Sequence, residues 1–174
     1  CFIYIVRDPR SVVISSKEHY GFQNYDKSVE VLLSDKWLTY ATEKPKMLPE
    51  FILSWKSNFL SWQNFYAKNN DKGIIIRFED LVTDPDKYFQ LLINFLSKKL
   101  KFEINKKKLK NSIQSINFEI LQKIEKEKGF EEKSKKSENF FRKGQLNEWK
   151  NILESKLIKK INSNLSKEMN YLKY

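Results

Sequence analysis

Two cations beside a rare glycine, Arg142-Lys143-Gly144, stand near the C-terminal end of the sequence. Phe140-Phe141 precedes them, and Trp149-Lys150-Asn151 follows five residues after the glycine. Arginine presents a planar fork to phosphate oxygens, lysine a mobile point charge, and glycine lets backbone approach a bulky anion. With four glycines in 174 residues, this placement suits a multiply charged anion, although Arg-Lys-Gly also describes a solvated turn. A second set lies at the other end. Arg7 closes the apolar run Cys1-Phe2-Ile3-Tyr4-Ile5-Val6 and is followed by Asp8-Pro9. Ser15 comes eight positions after Arg7, on the helical face of Ser11. An arginine at a strand end and a helix-borne hydroxyl, beside the positive end of that helix, can share one anionic group. The competing reading pairs Arg7 with Asp8 or Asp80 and turns Ser15 back on its own helix.

These residues need elements to position them. The first six residues read as a short, β-branched and aromatic buried strand. Asp8-Pro9 combines a favoured N-cap with a favoured first helical residue and starts a helix to about Tyr20. The same device recurs at Asp84-Pro85. There the strand Gly73-Ile74-Ile75-Ile76-Arg77-Phe78 passes through 79–83 into a helix from Pro85 to about Lys98, with a 3.6-residue apolar stripe. Between the strands, helices are expected over 28–42 and 48–68, the second with Phe51, Trp55, Phe59, Trp62 and Phe65 on one face. Two strand-loop-helix units joined by a helical crossover predict an α/β layer architecture with a parallel sheet, whose ligands bind beyond the carboxyl ends of the strands. Further helices are expected near 105–115, 118–128 and 147–172, with a mobile polar stretch at 129–139.

Composition bounds the function. The 174 residues, 40% hydrophobic, suffice for one core. A net charge of +11 calls for an anionic partner: nucleic acid, a membrane surface or a phosphorylated small molecule. The lysines of 98–110 and 123–136 also fit solvated helix faces. A single cysteine excludes an internal disulfide and a cysteine-based zinc site, and no apolar stretch is long enough to span a bilayer. The sequence opens in mid-strand without methionine, which predicts the C-terminal part of something longer.

Taken together, the motifs carry a family resemblance. The segment from Ile5 to Ser15, with Arg7-Asp8-Pro9-Arg10-Ser11, resembles the 3′-phosphate-binding strand and helix of the sulfotransferases that use 3′-phosphoadenosine 5′-phosphosulfate (PAPS). Phe140 to Gly144, with Trp149-Lys150-Asn151, is similar to the second signature of their cytosolic branch, a loop that closes over the nucleotide. Between them, Arg77-Phe78-Glu79-Asp80-Leu81 resembles the family's Tyr-Glu-Asp-Leu segment. The resemblance implies a three-layer, P-loop-NTPase-like sulfotransferase fold, incomplete at the N-terminus, with 1–174 as the C-terminal part of a single domain. It implies that Arg7 and Ser15 hold the cofactor's 3′-phosphate and that Arg142, Lys143 and the Gly144 backbone complete that site. It sets Phe78 in the place of the family's tyrosine, near adenosine, and makes Phe118, in Asn117-Phe118-Glu119, the candidate for stacking on adenine; a core position on an amphipathic helix is the alternative for Phe118. Trp149 is expected to pack the loop against the fold.

Departures are specific. Asn147-Glu148 replaces the family's second glycine and aspartate, Asn suiting a cap or a left-handed residue. The family's dimerisation motif is not recognisable, so oligomeric state is left open. By family order, the phosphosulfate loop and the histidine that takes the acceptor's proton precede Cys1. No catalytic residue is therefore expected here, and the sole histidine, His19, is not expected to be the base. The reading is sulfuryl transfer from PAPS to a hydroxyl or amine of a small-molecule or carbohydrate acceptor, in a cytoplasmic enzyme, with no metal, no nucleic acid and no stable membrane insertion. A basic nucleic-acid-binding domain and a P-loop nucleotide kinase are the alternatives. The first would need exposed aromatics among the cations, the second an upstream Walker loop.

Overall fold

The structure, a computed structural model, describes residues 1–39, 50–131, 133, 137–142 and 144–174. Strand β1 (Phe2–Val6) pairs in parallel with β4 (Gly73–Arg77), Phe2 opposite Gly73 and Val6 opposite Arg77. Both strands therefore end at the same edge, and each feeds a helix there. Helix α1 (Pro9–Tyr20) starts at Asp8, whose side chain accepts from the Arg10 N–H, as the Asp-Pro pattern predicts. Helix α2 (Tyr25–Leu33) returns alongside it. The strand pair is flanked by helices, the α/β architecture expected.

The crossover differs from expectation. Helix α2 begins at Tyr25 and stops at Leu33, because Asn24 caps it by accepting from the Lys27 N–H and Ser34 is already extended. A short antiparallel pair, β2 (Leu38–Thr39) and β3 (Glu50–Phe51), occupies sequence read as helix. Helix α3 (Trp55–Lys68) starts seven residues later than predicted, where Ser54 accepts from the Ser57 N–H. Phe51 is consequently exposed and is not part of the α3 stripe, whose Phe59 is fully buried. Local capping by Asn24 and Ser54 overrides the longer helical periodicity.

Beyond β4, residues read as a connection form a short helix, α4 (Phe78–Thr83), before α5 (Pro85–Leu100), which Asp84 caps. Helices α6 (Lys106–Ser115) and α7 (Phe118–Lys128) follow. The predicted last helix breaks at Leu153 and Glu154 into α8 (Trp149–Ile152) and α9 (Ser155–Leu172). The stretch predicted to be mobile includes residues 132 and 134–136, which lie outside the described residues. Helix α9 supplies Leu157, Ile161, Leu165 and Met169 to a core shared with Val13 and Ile14 of α1, Val29 and Leu32 of α2, and Trp149. A second cluster joins Val6, Phe59 and Leu172. The carboxyl end of β1 is thereby wedged between α1, α3 and the C-terminal helix.

Candidate functional site

Three backbone groups around Arg7 are held from three directions. The Trp55 indole N–H donates to the Arg7 carbonyl at 3.0 Å. The Asp8 N–H donates to Glu79 Oε1 at 3.0 Å, and the Tyr174 hydroxyl lies 2.9 Å from Glu79 Oε2 and 3.2 Å from the Val6 carbonyl. Burial and the neighbouring Glu79 carboxylate push the Tyr174 hydroxyl far above its usual range, so it remains a donor. A strand end fixed at consecutive residues aims its side chain with little freedom.

Asp8 and Asp80, the carboxylates read as rival partners of Arg7, are paired with other arginines. Asp8 takes Arg10 in a buried pair, with Arg10 Nη2 2.7 Å from Asp8 Oδ2, and the Arg10 guanidinium lies 3.8 Å above the Trp149 ring. Asp80 takes Arg77, whose Nη1 also caps the Leu172 carbonyl at 2.9 Å. Arg7 instead donates from Nη1 to Ser15 Oγ at 3.2 Å and stacks 4.5 Å from the Phe78 ring centroid. Its Nε is buried and has no hydrogen-bond partner among the described residues. A buried donor without a partner costs about 1–3 kcal/mol, more when charged. Burial lowers the Arg7 pKa; Glu79 and Glu148 oppose that and Arg142 reinforces it. Arginine nonetheless stays protonated. Two guanidinium groups that repel each other, one with an unused donor, are the electrostatics of an anion site.

Arg142 is delivered by a loop fastened to α7. Both oxygens of the buried Glu125 carboxylate accept backbone N–H groups, Phe140 at 2.6 Å and Phe141 at 2.9 Å. The Gln122 side-chain amide donates to the carbonyls of Phe141 and Arg142, each at 2.9 Å. Gly144 follows in left-handed conformation (φ 62°), and a Cβ there would lie 2.5 Å from the Phe118 ring. Phe118 also meets Phe141 edge-on at 6.3 Å. Asn147, where the resemblance leads one to expect a glycine, takes φ 60°, a left-handed conformation that asparagine tolerates.

The Arg7, Ser15 and Arg142 side chains open on one cavity of about 480 Å³ between α1, the start of α3 and the 137–142 loop. Its remaining wall sets apolar Val31, Leu32, Trp37, Ile52, Leu53 and Trp55 beside polar Ser16, Glu18, Ser54, Asn58, Ser137 and Asn139. His19 and Tyr20, in edge-on contact, also border it. Of the residues singled out in the sequence, Arg7, Ser15, Phe78 and Arg142 are brought together. Phe118 and Gly144 pack on each other and reach the site through the loop; Lys143 lies outside the described residues. Trp149 is buried under Arg10 in the core, a packing role as expected. Sequence reasoning missed Trp55, Glu79, Gln122, Glu125 and Tyr174, which hold backbone rather than ligand. The spacing of Gln122 and Glu125, three apart on one helix face, was the available signal. Among the described residues no cluster of three or more metal-ligating side chains occurs, and no helix is long and apolar enough to cross a membrane.

Residues 2–173 match the family described as the sulfotransferase domain. The chain belongs to that family. Its sulfotransferase fold is seen in mouse sulfotransferase SULT7A1 complexed with PAP, at a TM-score of 0.68 and 18% identity over 96% of this chain and 57% of that one. Retinol dehydratase in a complex with retinol and PAP superposes with a TM-score of 0.67 and 16% identity, over 96% and 47%. The same enzyme with androsterone and inactive cofactor PAP gives 0.67 and 16%, over 96% and 46%. This sulfotransferase chain thus spans about half the length of these structures. No curated protein sequence matches it significantly.

Proposed function

We propose that this chain is the nucleotide-recognising, C-terminal part of a single-domain sulfotransferase whose intact form moves a sulfuryl group from PAPS to a small acceptor. The observation that carries the reading is Arg7: a half-buried guanidinium whose shielded Nε has no acceptor, bonded to Ser15 and opposed by Arg142. That set fits a phosphate bearing two negative charges, which supplies the missing acceptors and relieves the repulsion between the arginines. Arg7 and Ser15 would hold the 3′-phosphate of PAPS, with Arg142, Lys143 and the Gly144 backbone closing over it. Phe78 would stiffen the Arg7 guanidinium by stacking and lie near the adenosine, without the hydroxyl of the family's tyrosine. Phe118, partly buried against Gly144, supports the loop and is the candidate to meet adenine.

PAPS supplies the sulfuryl group, and no metal is called for in the transfer. The residues of this chain bind, orient and exclude water; no catalytic base is assigned among them. The apolar part of the wall beside Arg7, with Val31, Leu32, Trp37 and Trp55, suits an acceptor with a hydrophobic body, a phenol or an alcohol, more than a carbohydrate. The Arg142-Lys143-Gly144 signature, typical of the soluble branch, supports a cytoplasmic enzyme. The test is release of 3′,5′-adenosine bisphosphate from PAPS by the full-length protein, with phenols, apolar alcohols, amines and sugars as acceptors. Release that requires a hydrophobic hydroxyl compound supports the proposal. Release with sugars alone overturns the acceptor class, and no transfer to any of them overturns the activity.

A further inference from the structure

We propose that the corner where α5 runs into α6 adsorbs the protein to an anionic membrane surface. Between residues 87 and 117 the sequence carries eight lysines against one acidic residue, Glu103, and so holds seven of the chain's eleven net positive charges. That excess is local. In the next stretch, 118–138, six lysines alternate with six glutamates, as a solvated helix face would have it.

Seven of the eight lysines fall within 98–110, on either side of a short connection. Helix α5 ends at Lys101 in left-handed conformation (φ 56°), and α6 begins at Lys106. The connection spans at most about 18 Å, and the two helices pack on each other, so Lys98, Lys99 and Lys101 share one corner with Lys106, Lys107 and Lys108. Of these, Lys99 alone has an ion-pair partner among the described residues, Asp71 at 3.3 Å. In the middle of the cations stand Leu100, 62% exposed, and Phe102, 38% exposed.

Unneutralised lysines around exposed apolar side chains are the chemistry of an interfacial anchor. Ammonium groups remain at the lipid phosphates while Leu100 and Phe102 enter the acyl boundary. A nucleic acid would use the charges yet give Leu100 no role, and this corner offers one exposed aromatic where stacking needs several interleaved with cations. No helix insertion is involved. The surface is separate from the nucleotide site and stands whether or not the sulfotransferase reading does.

The test is co-sedimentation of the full-length protein with phosphatidylcholine vesicles, with and without phosphatidylserine, at low and high salt. Binding is expected only to the anionic vesicles and is lost at high salt. At about fivefold per lysine, the K106Q/K107Q/K108Q variant should bind on the order of a hundredfold more weakly. Leu100→Ser/Phe102→Ser should reduce binding while leaving its salt dependence. All these side chains are exposed, and an unchanged circular dichroism spectrum and thermal unfolding curve report that the variants are folded. Equal binding to neutral vesicles, or undiminished binding of the lysine variant, overturns the proposal. So does a protein that ignores vesicles and instead binds a single-stranded oligonucleotide through these lysines.

Discussion

Gly144→Ala should be costly for a reason that a second glycine isolates. Gly129 and Gly144 both adopt positive φ, 74° and 62°. A Cβ at Gly129 would meet nothing within 4 Å, whereas at Gly144 it would lie 2.5, 2.7 and 2.8 Å from three Phe118 ring atoms. Gly129→Ala therefore meets no clash and reports backbone strain alone, about 1–3 kcal/mol, because φ 74° with ψ 179° is a region essentially reserved to glycine. Gly144→Ala combines the positive-φ strain of about 1–2 kcal/mol with overpacking against a ring already held by Phe141, about 1–3 kcal/mol, for a total near 2–5 kcal/mol. Equilibrium urea unfolding of the full-length protein measures both. Phe118→Ala should relieve the clash, making the Gly144→Ala/Phe118→Ala pair less damaging than the two single changes together. Since the displaced loop carries Arg142, affinity for 3′,5′-adenosine bisphosphate should fall in Gly144→Ala and not in Gly129→Ala. If the double variant loses as much stability as the two single changes together, to within about 0.5 kcal/mol, the close packing of Phe118 on the loop is wrong.

Two further outcomes follow from the buried hydroxyls. Tyr174→Phe leaves Glu79 Oε2 and the Val6 carbonyl short of their donor and should destabilise the protein by about 1–3 kcal/mol in urea unfolding; a loss under about 0.5 kcal/mol would count against the clamp. Burial pushes the Tyr4 hydroxyl up to about 12, against about 10 in an unfolded chain. The raised folded value means that its contribution is complete below pH ~10 and is lost as pH climbs through ~12. The difference in unfolding free energy between the parent and Tyr4→Phe should shrink across that window, and a difference that stays flat would contradict it.

What was legible in the sequence is what short range dictates. Asp8-Pro9 and Asp84-Pro85 start helices because each aspartate accepts from a backbone N–H two or three residues on. The eight-residue spacing allowed Arg7 to reach Ser15, since a helix leaving a strand end fixes where its second turn points, and the two do meet at 3.2 Å; spacing alone left Asp8 and Asp80 as rival partners. Which carboxylate each arginine takes was not legible. Arg10 and Arg77 claim Asp8 and Asp80 by short-range geometry, and only the packed chain shows Arg7 left over. The Tyr174–Glu79 and Trp55–Arg7 contacts join residues 95 and 48 positions apart, beyond any local pattern. The short β2–β3 pair was hidden because two residues per strand carry no periodicity, the Ser54 cap looked like an interior position of the helix read over 48–68, and Asn24 lay ahead of the helix read from 28.

The central claim is that Arg7 and Arg142 recognise a 3′-phosphate, and calorimetric titration of full-length protein with two ligands tests it most directly. Adenosine 5′-monophosphate lacks that phosphate and 3′,5′-adenosine bisphosphate has it. Each of Arg7→Ala and Arg142→Ala should weaken the bisphosphate by about 1.5–3 kcal/mol, tenfold to more than a hundredfold, while leaving the monophosphate nearly unchanged. If both variants bind the bisphosphate as tightly as the parent, or lose the two ligands equally, the arginines do not read the 3′-phosphate and the site has been misassigned.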